Sequence, residues 1–151
     1  MKNELIQLGM AFVALFLGAG LEEMSPKFFG VGFPILLSIL QYMAYHRDSH
    51  VVVVFALAAG AVEDAISGLP PFASIGFFLM LAMVIRRIQI PMIWLLAYPA
   101  YQLWLLVWMI GIGGSIFNRV LVSIPLGALS VLFITLIFGW LDRRSAIDEQ
   151  G

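Results

Sequence analysis

Six apolar blocks follow one another along this chain, separated by short polar breaks, and that pattern leaves little choice of fold. The blocks lie at approximately 4–21, 28–45, 51–67, 70–85, 90–112 and 118–141, and 142–151 forms a short polar tail. A run of about 17–25 apolar residues matches the hydrocarbon thickness of a bilayer when it is helical. A helix also satisfies its own backbone where no water can. Composition points the same way. Hydrophobic residues make up 62% of the chain and charged residues 11%, with a mean hydropathy of +1.03. A globular chain is about half apolar and a quarter charged, so this one lacks the polar residues to cover a water-soluble surface. The expectation is an all-α integral membrane protein, one domain built as a bundle of six transmembrane helices, in contact with the lipid bilayer. A net charge of −1 and the lack of a basic run give no field for nucleic acid. The absence of cysteine excludes disulfides and thiolate metal sites.

The first block follows Lys2 and ends in Gly18-Ala19-Gly20, which is the outline of a signal peptide. Its apolar run exceeds the usual 7–15 residues or so, and Glu4 stands where basic residues belong, so a retained helix is expected. Ala14 and Gly18 form a small pair one turn apart that could admit a neighbouring helix. Glu22, Glu23, Lys27 and Ser25-Pro26 read as the first break. Ser38 and Gln41 share a face of the second block and are expected to bond to backbone or to neighbouring helices, with a polar pore lining as the alternative. His46 and His50 have the spacing of a helical metal pair. They lie in a short charged turn whose nearest acid is Asp48, and an interfacial loop is expected there rather than a metal site. In the fifth block Trp94, Tyr98, Tyr101, Leu105 and Trp108 recur at helical spacing, and internal packing is the expected role of the stripe. Gly111-Ile112-Gly113-Gly114-Ser115 lacks the Lys-Ser/Thr ending of a phosphate loop and reads as a flexible turn.

The chain is organised around residues 51–72, VVVVFALAAGAVEDAISGLPPF. Ala56, Ala59, Gly60, Glu63, Asp64 and Ser67 fall on one helical face, small at first and then acidic. The other faces are bulky. In a membrane, bulky residues meet lipid and small or polar residues meet protein. Ser67-Gly68-Leu69-Pro70-Pro71 then turns the chain, and a double proline suits the first turn of the next helix. A tight hairpin of the third and fourth helices is expected, packed at the centre of the bundle or offered as a docking surface. Asp64, one turn from Gly60 and from Ser67, is the acid expected to carry weight. Arg119 or Lys27 is its candidate cation, and the alternative for Glu63 and Asp64 is a solvated, inert helix end.

Basic residues set the orientation. Six blocks put both termini on one side, with Lys2, Arg47, Arg86, Arg87, Arg143 and Arg144, against Lys27 and Arg119 on the other. The positive-inside rule then places both termini in the cytoplasm and the acidic turn outside.

The segment from Tyr45-His46-Arg47 through Gly60-x-x-Glu63-Asp64-x-x-Ser67-Gly68-x-Pro70 resembles the signature of the rod-shape-determining MreD family, which carries G-x-x-x-D-x-x-S-G-x-P at the end of its third membrane helix. Length, block number and the short basic tail are also similar. One position departs: where the family usually has a glycine just after this turn, the chain has Phe72. The resemblance implies a multi-pass subunit of the bacterial cytoplasmic (inner) membrane in the machinery of cell-wall elongation and peptidoglycan synthesis. It implies an MreC-like partner together with other elongation proteins, and a bundle similar to the substrate-binding subunits of energy-coupling-factor transporters. Ala56, Gly60, Glu63, Asp64, Ser67, Gly68 and Pro70 are the residues expected to act in structure or partner contact.

Three classes of function are open at this stage. A non-catalytic scaffold is favoured. A small-molecule-binding transporter subunit would need an outward pocket, for which Glu22, Glu23, Ser67, Ser115, Asn118 and Arg119 are the polar material besides Glu63 and Asp64. An intramembrane acid enzyme would need two carboxyls on facing helices. Glu63 and Asp64 are neighbours on one helix, and no second intramembrane acid is expected. No catalytic residue, cofactor or metal ligand is therefore assigned.

Overall fold

The computed structural model describes residues 2–30, 32–88, 93–108 and 116–148, with side chains for 5–30, 32–88, 95–108 and 120–144. The described residues form six helices and no strand: α1 (Lys2–Phe29), α2 (Ile35–His46), α3 (Ser49–Ser67), α4 (Ala73–Ile88), α5 (Ile93–Trp108) and α6 (Ile116–Asp148). Three stretches, Leu5–Phe29, Ser49–Ser67 and Val120–Arg144, are long and apolar enough to cross a membrane. Phe12, Phe16 and Leu17 on α1 and Leu132, Phe133 and Leu136 on α6 are each more than half exposed. So large an apolar surface is compatible with a membrane protein and suits hydrocarbon better than water.

The bundle is built around α2. Its residues from Ile35 to Ala44 are all buried, and it touches each of the other five helices. Leu36, Leu40 and Met43 meet Val52 and Phe55 of α3 and Phe78 and Ile85 of α4 in one core. α3 packs most extensively on α4, and α5 on α6. Among the described residues α1 and α6 do not touch. They leave an apolar cleft of about 480 Å³ between them, with Leu21, Phe29, Phe33, Leu129, Phe133 and Leu136 on its walls.

Small residues set the closest approaches. A Cβ at Gly18 would lie 2.7 Å from Ile39 Cδ1, so the Ala14/Gly18 pair does seat α2 against α1. A Cβ at Gly60 would lie 2.6 Å from Ile75 Cα, backbone against backbone.

Several helix boundaries differ from the sequence expectation. α1 does not stop at Glu22 and Glu23 but runs to Phe29 with Pro26 inside it. The polar residues of the expected break are satisfied without leaving the helix: Ser25 Oγ donates to the Glu22 carbonyl at 3.0 Å, and Lys27 pairs with Glu23 one turn away. The reversal comes at Gly30, at φ +70°. α2 therefore begins at Ile35 rather than 28, and its 12 residues measure about 18 Å, shorter than the hydrocarbon core. α4 begins at Ala73, after the double proline rather than at 70. α6 continues through most of the expected tail to Asp148. The ends expected for the fifth helix, at 90 and 112, and the glycine turn at 111–115 lie outside the described residues.

At the end of the bundle where α2 passes into α3, charges are matched. Arg47 pairs with Asp142 at 2.5 Å, Tyr42 OH donates to the same carboxylate at 2.6 Å, and Arg86 donates to the Arg47 carbonyl at 2.7 Å. His46 ends α2 with Nδ1 3.0 Å from the Tyr42 carbonyl oxygen and its ring stacked on Tyr42. His50 belongs to α3, and because Arg47 and Asp48 interrupt the helix the two histidines are not a pair on one helical face.

Candidate functional site

The opposite end of the bundle holds three acids, Glu22, Glu63 and Asp64. Their positions follow from how helices begin. The first N–H groups of a helix have no partner within it, and together they favour a negative charge. Pro34, which precedes α2, gives no side-chain cap. Glu22 of α1 supplies one instead, as its Oε2 accepts from Leu36 N–H at 2.8 Å. Asp64 of α3 does the same for α4, accepting from Ser74 N–H at 2.7 Å. Each acid sits on one helix of a hairpin and caps the next.

The turn between α3 and α4 is built for that reach. Gly68 stands at φ +63°, ψ +30°, the left-handed region in which glycine carries no Cβ penalty. Its N–H and that of Leu69 both return to the Asp64 carbonyl, a helix-ending pattern that satisfies the last turn. Pro70 accepts from Ala73 N–H at 3.2 Å. Phe72 follows at φ +75°, the one non-glycine at positive φ among the described residues, and its ring is 73% exposed.

Glu63 has no helix to cap. It is 8% exposed, and its Oε1 accepts from Ser67 Oγ at 3.0 Å and from Tyr101 OH at 3.4 Å. Ser74 Oγ lies 2.6 Å from Tyr101 OH, so with the phenol donating to Glu63 the serine donates to the phenol. Trp104 Nε1 donates to the Ala73 carbonyl at 2.8 Å, fixing α5 against the start of α4. Glu63 Oε2 is buried with no donor among the described residues, as is Asp64 Oδ2. The carboxyl of Glu63 also meets that of Glu22 within hydrogen-bonding reach. These groups border a cavity of about 330 Å³ between α1, α3 and α5, walled by Glu22, Phe33, Glu63, Tyr98, Tyr101 and Gln102 among others.

Two sequence expectations are corrected here. A second acid on another helix does face Glu63: it is Glu22, which the unbroken α1 carries to that level. The reading of Glu63 and Asp64 as a solvated helix end fails on their burial, 8% and 6% exposed. Of the cations proposed for Asp64, Lys27 is engaged with exposed Glu23, and the Arg119 side chain lies outside the described residues. A backbone N–H takes that role.

Other expected residues fall as follows. Ala56, Ala59 and Gly60 are buried, Gly60 against Ile75 of the hairpin's second helix, so the small face is internal. Ser67 and Gly68 are exposed at the turn, as is Pro70. Ser38 donates to the Pro34 carbonyl at 2.7 Å, and Gln41 is buried beside it. Tyr101 of the aromatic stripe is buried against Phe77 and Phe78. Tyr98 lies against Gly127 of α6. The Trp94 side chain, like Asn118, lies outside those described. Sequence reasoning missed Trp104, whose partner is a carbonyl on another helix. It also missed Glu22 as a wall of the site. Comparison of the chain with protein-family models, curated proteins and solved structures returned no match.

Proposed function

We propose that this chain is a non-catalytic, MreD-type subunit of the bacterial cell-wall elongation machinery, spanning the inner membrane six times with both termini cytoplasmic and binding an MreC-like single-span protein through helix contacts. The observation that supports this most is that the residues carrying the resemblance form one mechanical unit. Gly60 permits contact with the α4 backbone, Asp64 caps α4, and Gly68 takes the left-handed turn. At Phe72, the position where the family usually has glycine, the backbone stands at φ +75°, a conformation natural to glycine. Because the small face of α3 is internal, the partner helix takes the exposed apolar faces of α1 and α6 beside their cleft. The enzyme class is not favoured: two of the three described acids, Glu22 and Asp64, are engaged in capping helices. A transporter-type binding subunit is the second reading, and the cavity beside Glu63 favours it.

Photoreactive residues at Leu17 or Phe133, in cells, should crosslink a single-span partner, whereas the same probe at exposed Val54 of α3 should not. A reporter active only in the cytoplasm should work after Gly151 and be silent near Leu69. Failure of every α1 and α6 position to trap a partner removes the scaffold reading.

A further inference from the structure

The cavity beside Glu63 carries two acids on its wall and, among the described residues, no cation. Glu22 and Asp64 each have a structural task at a helix N-terminus, where they accept from its free N–H groups. Glu63 has none. More than nine-tenths buried, it presents Oε2 with no donor and meets the Glu22 carboxyl, a second acceptor. Two carboxyls so close in a low-dielectric site are relieved by a proton shared between them or by a bound group that donates hydrogen bonds and carries positive charge. Among the described residues, no lysine, arginine or histidine lines the cavity. Among the described side chains, Arg47, Arg86 and Asp142 are joined at the other end of the bundle.

The shape narrows the identity of the missing group. A volume of about 330 Å³ is roughly ten times the share of one water in the liquid and sits at the small end of organic ligand pockets. A bare ion would leave it mostly empty. Its other walls, Phe33, Tyr98, Tyr101 and Leu105, offer apolar surface and ring faces that attract a cation. A phosphate would stand beside acids with no compensating charge, which disfavours the ammonium of a phospholipid headgroup.

We propose that this cavity binds a small protonated amine with an apolar body, its N–H groups directed at Glu63 Oε2 and the Glu22 carboxyl and its body against Tyr98 and Tyr101. The site stands apart from the partner-binding reading above, since the cavity is lined by α1, α3, α5 and the α1–α2 connection rather than by α6.

The test uses the full chain in nanodiscs of phosphatidylglycerol alone, so that no lipid supplies an ammonium. Phenethylamine, charged at pH 7, is compared with 2-phenylethanol, its neutral counterpart, by isothermal titration. Saturable binding of the amine is expected, with the alcohol at least about tenfold weaker, a difference of about 1.4 kcal/mol. Glu63→Gln and, separately, Glu22→Gln should each weaken the amine by about tenfold or more while leaving the weak alcohol binding as it was. The two variants guard against a fold defect in either one. Absence of saturable amine binding overturns the proposal and leaves the carboxyls joined by a proton. Equal binding of amine and alcohol, or binding unchanged in both variants, overturns it as well, because the cavity would then select for shape alone.

Discussion

Where α2 passes into α3, Asp142 takes the Arg47 guanidinium on one oxygen and the Tyr42 hydroxyl on the other. At the far end Glu63 takes two hydroxyls on one oxygen and, among the described residues, no donor on the other. Both are carboxylates held between helices far apart in sequence, yet they are held on different terms. The first is a closed arrangement of opposite charges at a part-exposed edge, and its task is to tie α6 to the α2–α3 turn. The second is buried deeper, opens on a cavity, and has like charge for a neighbour. A group matched on all sides is explained by the fold it supports. A buried group left unmatched costs stability and calls for an occupant. The contrast sets a matched carboxylate at the basic end against an unmatched one at the acidic end.

The strongest way to break that contrast is to separate the elements that build the acidic end. Gly60→Leu places a Cβ within 2.6 Å of the Ile75 Cα and adds a branched side chain beyond it. Backbone cannot give way as a flexible side chain can. The variant should lose about 3 kcal/mol or more, and Asp64 should no longer reach Ser74. Gly60→Ala suffers the same first collision and should also lose stability, by less. Thermal unfolding in detergent measures both. A Gly60→Leu midpoint within a degree or so of the parent would mean that α3 and α4 are not in backbone contact.

A finer cut compares neutral amides at the two ends. Asp142→Asn keeps the shape but discards the charge opposing Arg47, and should cost about 1 kcal/mol, the upper range for a part-exposed pair. Glu63→Gln also keeps the shape. Its carbonyl still accepts from Ser67 and Tyr101, and its new N–H₂ can donate toward Glu22, so without ligand it should be neutral or stabilising by up to about 1 kcal/mol. The opposite signs are the prediction, read from paired unfolding curves. If both amides destabilise equally, the acidic end is as well matched as the basic one and its spare carboxylate oxygen is of no consequence.

Much of this was legible in the sequence, and what was missed has a common cause. The apolar blocks and their helical type follow from hydropathy and length, which are local. The small-then-acidic face of 56–67 follows from periodicity, and Gly68 and the double proline marked the turn. The end of α1 was misplaced because Ser25-Pro26 reads as turn chemistry, although the Ser25 hydroxyl bonds back to the Glu22 carbonyl, the acceptor left free by the N–H that Pro26 lacks. That error hid Glu22, since an acid at a supposed break is expected to face solvent. A usable signal was present: the start of α2 has no serine, threonine, aspartate or asparagine before it, so its free N–H groups required an acceptor from elsewhere. Trp104 and Tyr101 could not be assigned from spacing, because their partners, Ala73 and Ser74, are set by how α5 lies against α4.

The smallest expected effect tests the turn that holds the acidic end together. Phe72 pays the steric cost of a left-handed backbone, about 1–2 kcal/mol for a residue with a Cβ, and its exposed ring recovers nothing within the chain. Phe72→Gly removes that cost and adds the freedom of glycine to the unfolded chain, which offsets about 0.4–1 kcal/mol of the gain. The net should be a stabilisation of about 0.5–1 kcal/mol, measurable as a small rise in the unfolding midpoint in detergent, where no partner is present. Phe72→Leu keeps the strain and should not show the rise. If glycine instead lowers the midpoint, the ring is held by detergent or lipid strongly enough to outweigh its backbone cost. If glycine raises the midpoint while reducing recovery of the partner from cells, the phenyl group is kept for a contact outside the chain, and the strain at the head of α4 belongs to assembly rather than to the fold.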